Sequence, residues 1–217
     1  YPRCPGNIMV SNPDWVGSVS RWREQISRWA GQGDDAAMMN LAILIDAHPV
    51  AGRAELVEGL REALFQRCSG DQILLSRFAR PSLKFSTPLN WFGALKKPDQ
   101  GIDIKKGGLF PVVHGVRSMT LEQRIQETGT LARLDRLVDA GQMEAAFAEE
   151  LGEAMALFSE LRLKQQLMRL EGEVGDLPGN QVLVERLTAL ERDLLRESLQ
   201  VVNEFKKRLS RRFHLEY

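Results

Sequence analysis

The chain has little of what usually marks an enzyme. There are two cysteines, Cys4 and Cys68, and three histidines, His48, His114 and His214. Two isolated cysteines make neither a disulfide framework nor a zinc site, so reduced thiols in a cytosolic protein are expected, with a Cys4–Cys68 disulfide as the exception. The histidines lie far apart, and no pair has helical metal-ligand spacing. Gly-x-Ser-x-Gly and His-Glu-x-x-His are absent, as are a P-loop and a dinucleotide fingerprint. No apolar run reaches the roughly 18–20 residues that span a bilayer, so no membrane segment is expected. Nor is there an excess of charge: 29 basic residues balance 29 acidic ones. That argues against a chain that coats nucleic acid by charge alone. Internal repeats and low-complexity segments are missing too.

What is present reads as an ordinary globular protein. Hydrophobic residues make up 43% and charged residues 27% of 217 positions, enough for one large domain or two small ones. The first residue is Tyr1, and the opening Tyr-Pro-Arg-Cys-Pro-Gly reads like the middle of a domain rather than a signal peptide. The natural protein is therefore expected to continue upstream.

Periodicity makes most of the chain helical. Asn12-Pro13-Asp14 looks like a helix start, and Trp15, Val19, Trp22, Ile26 and Trp29 follow on one face, stopped by Gly31 and Gly33. The apolar run Met39–Ile45, ended by Asp46, predicts a buried strand. Helices are expected over 53–67, with Leu56, Leu60, Ala63 and Leu64 on one face, and over 72–78. Gly101–Lys106 alternates apolar and polar and suggests a second strand. Thr120-Leu-Glu-Gln123 fits a capping box for a helix running to about Ala140, with Gly141 as its stop. Phe147, Leu151, Ala154, Phe158 and Leu161 line the next helix. Leu183, Leu187, Leu190, Leu194, Val201, Phe205 and Leu209 line the last. Long stripes of this kind suit an antiparallel bundle. The basic residues of these helices, Lys206 among them, read as solvated faces.

Two places could carry chemistry. Asp46, at the end of the predicted strand, sits where a carboxylate suits a metal ligand or general base, or else a turn or cap. Lys105-Lys106-Gly107-Gly108 could bring charge and free N–H groups to a phosphate, or form a solvated strand end. His48 is of interest only for its place beside Asp46.

Three stretches together carry a likeness. They are Tyr1–Trp15, Ile43-Leu-Ile-Asp-Ala-His-Pro-Val-Ala-Gly52, and Ile102-Asp-Ile-Lys-Lys-Gly-Gly-Leu-Phe-Pro-Val-Val-His-Gly-Val-Arg117. They resemble nucleotidyltransferases of the DUF294 type, relatives of the enzymes that uridylylate the PII signal protein and adenylylate glutamine synthetase. Ile125–Thr130, Leu161–Leu167 and Glu191–Leu195 look like that family's C-terminal substrate-binding domain.

The resemblance implies a mainly α chain, in which the remnant of a nucleotidyltransferase α/β sheet (1–107) packs on a C-terminal antiparallel helical bundle (108–217). It implies Mg²⁺-dependent nucleotidyl transfer from a nucleoside triphosphate in the full-length protein. Asp46 falls where related transferases place a third carboxylate, a catalytic and metal-binding position. Lys105, Lys106, Gly107, Gly108, Asn12, Arg117 and His48 become nucleotide-binding candidates. Relatives often have Asp-x-Arg where this chain has Asp46-Ala47-His48, which puts a phosphate contact from His48 in doubt. The family's first two carboxylates, after a Gly-Ser helix start, find no counterpart, and Asp34-Asp35 is no substitute. The fragment alone is therefore expected to be inactive. The same likeness implies upstream CBS or cyclic-nucleotide-binding domains, a protein acceptor as one option and a homodimer as another. The alternatives are a non-catalytic regulatory or interaction module and a generic helical bundle with no ligand.

Overall fold

The computed structural model describes residues 8–9, 11–96, 101–174 and 177–215. Cys4, and with it the alternative of a Cys4–Cys68 disulfide, lies outside them; Cys68 is a buried free thiol, pushed up to about 12 by that burial.

Eight α-helices account for the fold of the described residues, so the mainly α expectation holds. Asn12 caps a 3-10 turn, Pro13–Trp15, by accepting the Asp14 N–H at 3.0 Å. Helix α1 (Val19–Gln32) starts separately, capped by Ser18, and ends on Gly33 at φ 66°. Its tryptophan stripe is packing: Trp15, Trp22 and Trp29 meet at 5.8–6.0 Å between ring centroids, and Ile26 and Trp29 are buried.

The strand expected at Met39–Ile45 is instead α2 (Asp35–Leu44), capped by Asp34. The run hides its period because an apolar residue, Met39, 60% exposed, stands on the outer face as well. A short all-apolar segment does not separate strand from buried helix by period. Its alanines, methionines and leucines favour helix, and β-branched Ile43 and Ile45 come only at its end. Helices α3 (Ala54–Cys68) and α4 (Gln72–Ala79) lie where the pattern put them, although Leu56 is exposed and Arg61 buried on α3.

The sole sheet among the described residues pairs β1 (Ile102–Asp103) antiparallel with β2 (Gln181–Val182). The second expected strand thus shrinks to two residues. Lys105–Leu109 then winds as a π-helical turn straight into α5 (Phe110–Gln123). Thr120 lies inside α5, where its hydroxyl donates to the Arg117 carbonyl at 2.9 Å, so the Thr120–Gln123 capping box starts no helix. The chain breaks at Arg124 (φ 56°), and α6 (Thr130–Asp139) begins afterwards. A reciprocal capping box does open α8 (Ala189–Arg212), between Thr188 and Glu191.

Helix α7 (Ala145–Leu170) buries Phe147, Leu151, Ala154, Phe158 and Leu161, the stripe the sequence marked. It runs antiparallel to α8: Phe147 meets Phe205 at one end, and Lys164 pairs with Glu191 at 2.6 Å towards the other. On α8 the buried stripe is Leu195, Leu199, Val202, Phe205 and Leu209, while Leu190 is 68% exposed. β2 and a 3-10 turn at Val184–Arg186 interrupt the period before α8, so the leucines upstream do not set its phase. Lys206 is not solvated but buried, donating to the Phe85 carbonyl at 2.8 Å.

Helix α5 is the hub. It touches α3, α4, α6 and α8 and is buried nearly all round, as a helix without a polar face must be. Gly115 makes its crossing with α8 possible: a Cβ there would meet Leu209 Cδ1 at 2.4 Å and Phe205 Cε1 at 2.6 Å. Gly59 on α3 has open space instead. Helix propensity favours alanine at both sites by about 1 kcal/mol, but overpacking costs about 1–3 kcal/mol at the first only. In urea denaturation Gly59→Ala is expected to stabilise and Gly115→Ala to destabilise; equal shifts would contradict the close crossing.

Candidate functional site

Asp46 ends the turn after α2, where the Ile43 carbonyl takes its N–H at 3.2 Å. Its carboxylate meets guanidinium groups from two other helices. Arg117 of α5 donates through Nε at 3.2 Å to Oδ1 and 3.1 Å to Oδ2, and through Nη2 to Oδ2. Arg133 of α6 places Nη1 2.8 Å from Oδ1. One carboxylate thereby ties α2, α5 and α6 together.

The network continues at both ends. Arg117 Nη1 lies 3.1 Å from His114 Nδ1, and His114 Nε2 lies 2.7 Å from the Phe78 carbonyl of α4. Guanidinium only donates, so Nδ1 accepts and the imidazole proton sits on Nε2. The ring is stacked between Phe78 and Phe110, at 5.2 and 5.5 Å. Burial first, and then the Arg117 charge, pull its pKa down to about 4. Arg133, 1% exposed, also donates Nε to the Glu127 carbonyl at 2.7 Å. Arg61, buried on α3, donates to the neighbouring Gln126 carbonyl. Burial lowers the pKa of both arginines, opposed chiefly by the Asp46 charge.

The remaining candidates stand elsewhere or do other work. His48 is exposed in the loop after Asp46. Lys105 and Lys106 are exposed at the head of α5, and Lys106 pairs with Asp103 at 3.7 Å. Eleven residues separate Lys106 from Arg117, roughly 16 Å of helix at 1.5 Å per residue. The fold therefore joins Asp46 to Arg117 in the middle of α5 and sets the lysines in the π-helical turn that leads into that helix. Gly107 and Gly108 are buried. A Cβ on Gly107 would meet Pro88 Cδ at 2.8 Å, and one on Gly108 the Phe158 ring at 2.9 Å. Close packing alone requires glycine at both.

The residues at Asp46 do not fit Mg²⁺. Both carboxylate oxygens are engaged by guanidinium, and among the described residues no group of three or more His, Cys, Asp or Glu could hold a metal ion. A divalent ion 4 Å from one guanidinium would be repelled by about 8 kcal/mol at an effective dielectric of about 20. Hard divalent ions need several oxygen ligands, and here one carboxylate is shared between two cations.

Arg61, Arg133 and His114 were not marked as site residues. A signal for the arginines exists: Arg61 falls in step with Phe65 and Cys68, and Arg133 with Leu137, so each lies on an apolar face. A cation there needs a partner, and Asp46 is the acidic residue that ends the neighbouring apolar segment.

Residues 72–213, spanning α4 to α8, match the profile of the DUF294_C family, described as "Putative nucleotidyltransferase substrate binding domain". Residues 1–36 match that of DUF294, described as "Putative nucleotidyltransferase DUF294". The chain belongs to the DUF294_C family. No curated protein and no solved structure matches it. No helix among the described residues is long and apolar enough to cross a membrane.

The depressed His114 pKa fixes a pH dependence. Between the ordinary value of 6.5 and about 4, the unfolded chain takes up a proton that the folded chain refuses. Stability is therefore full above pH 6.5 and falls as the pH drops, by up to about 3 kcal/mol from this group. Urea midpoints measured from pH 7 to pH 4 should fall less steeply for His114→Asn than for the wild type. Parallel pH profiles would contradict the neutral, Arg117-bonded imidazole.

Proposed function

We propose that the chain is the C-terminal part of a metal-dependent nucleotidyltransferase and that its helical domain shapes the nucleotide and acceptor site without completing catalysis. The observation that carries this reading is the match of residues 72–213 to the substrate-binding family. In the reaction class, an acceptor oxygen bonds to the α-phosphorus of a nucleoside triphosphate, and the bond to pyrophosphate breaks. The carboxylates that such transfer needs are not brought together at Asp46, where one carboxylate is already held by two arginines. The domain's part is recognition: the exposed Lys105 and Lys106, and the arginines around Asp46, are cations suited to phosphate oxygens. Mg²⁺ is assigned to carboxylates other than Asp46.

A second reading, a regulatory or interaction module of a cytoplasmic signalling protein, is favoured by one feature. Trp91 and Phe92 are 96% and 91% exposed at a tight turn closed by the Leu89–Leu95 bridge. Paired exposed aromatics are common anchors for a partner.

The first reading predicts that the 217-residue chain, incubated with Mg²⁺ and each of ATP, GTP, CTP and UTP labelled at the α-phosphate, transfers no label to itself or to added protein. It also predicts saturable nucleotide binding in calorimetry. Turnover by this chain alone would contradict its incompleteness, and absence of any nucleotide binding would favour the module.

A further inference from the structure

The guanidinium cluster behind Asp46 holds more positive charge and more N–H donors than the protein satisfies. Arg117 and Arg133 bond the Asp46 carboxylate, and Arg61 stands within its field without touching it. Glu127 lies close to Arg61, but its carboxylate is engaged by Arg136 at 2.6 Å. Arg61 and Arg133 reach consecutive carbonyls of one loop, Gln126 and Glu127, which sets the two guanidiniums side by side. Their mutual repulsion, with that from Arg117, bears on Arg133.

Two donors in this cluster have no partner: Arg61 Nε and Arg133 Nη2, both fully shielded from solvent. Their side chains belong to residues only 7% and 1% exposed. An unsatisfied buried donor costs about 1–3 kcal/mol, more on a charged group, and calls for a missing partner. Here two such donors stand on adjacent cations. Asp46, whose side chain is 32% exposed, is the member nearest water. Its two oxygens take the Arg117 fork and one Arg133 N–H in the way a ligand's oxygens would.

The geometry points to an oxyanion site at Arg61, Arg117 and Arg133, taking a phosphoryl group that displaces the Asp46 carboxylate and supplies acceptors to the two orphaned N–H groups. The site needs no metal and deepens the recognition role proposed above for the arginines around Asp46; binding of free phosphate without preference for a nucleotide would leave the site standing without the nucleotidyl-transfer reading. Asp46 acts in it as an internal competitor that holds the arginine forks open when the anion is away.

The test is calorimetric titration of the whole chain with inorganic phosphate, pyrophosphate and ATP, each in EDTA and against chloride at matched ionic strength. Saturable binding of at least one is expected. Arg61→Gln should weaken it tenfold or more, and Asp46→Asn should tighten it several-fold by removing the competitor. ATP binding well above phosphate would support the site and assign it to a nucleotide; equal binding would support it for free phosphate. No saturable binding by the wild type, undiminished binding by Arg61→Gln, or weakened binding by Asp46→Asn would overturn it. Should Arg61→Gln not fold, a tungstate-soaked crystal of the wild type decides. Tungstate within hydrogen-bond distance of Arg61 Nε or Arg133 Nη2 supports the site, and ordered water alone there overturns it.

Discussion

Everything near the candidate site depends on how the charge of Asp46 is shared. Its carboxylate, just past the end of α2, is held by two guanidiniums, one from the middle of α5 and one from α6. Arg133 is almost wholly inside the protein, and a cation there survives only because an anion and a carbonyl face it. His114 is recruited into the same network from the next turn of α5 and carries it to α4. The segment after α2, helix α5 and helix α6 thus share one anion, and His114 links it to α4.

That sharing changes what the site can do. A carboxylate between two arginines is a poor ligand for a second cation but a good placeholder for an anion. The role proposed for the α5 face around Arg117 is therefore recognition of negative charge. In the turn that leads into α5 the two lysines remain in water, while the glycines after them let Pro88 and the Phe158 ring approach the backbone. The exposed pair Trp91–Phe92 presents a different surface again, apolar and unshielded. The family to which the chain belongs is described as a nucleotidyltransferase substrate-binding domain, in keeping with the proposed recognition role.

Much of the fold was legible in the residues, and the failures have physical causes. The α7 stripe, the Val19–Trp29 stripe and α4 followed from a 3.6-residue period, because each buries one face, while Trp15 reaches the same cluster from a separate 3-10 turn. The segment before Asp46 misled because the outer face of α2 carries the exposed Ala36 and Met39, which hides the helical period in an apolar run. Thr120 misled because a hydroxyl satisfied by its own helix's carbonyl looks, in sequence, like one satisfying a free N–H. The α8 stripe slipped because a two-residue strand and a 3-10 turn reset the phase upstream of it. At the site, Asp46 and Arg117 were both visible, one by position and the other by family likeness, but not their pairing. Ion pairs across 71 residues leave no trace in spacing. Arg61 and Arg133 were hidden for another reason: an arginine on an apolar face is a signal only once its carboxylate is known.

The central claim is that Asp46 serves as the shared counter-ion of this cluster, not as a cation ligand. A double-mutant cycle tests it most directly: urea unfolding, in EDTA, of the wild type, Asp46→Ala, Arg117→Ala and the pair. The account predicts a coupling energy of about 1–3 kcal/mol, in the range for residues in one ion-pair network. Additive losses, with coupling below about 0.5 kcal/mol, would contradict it.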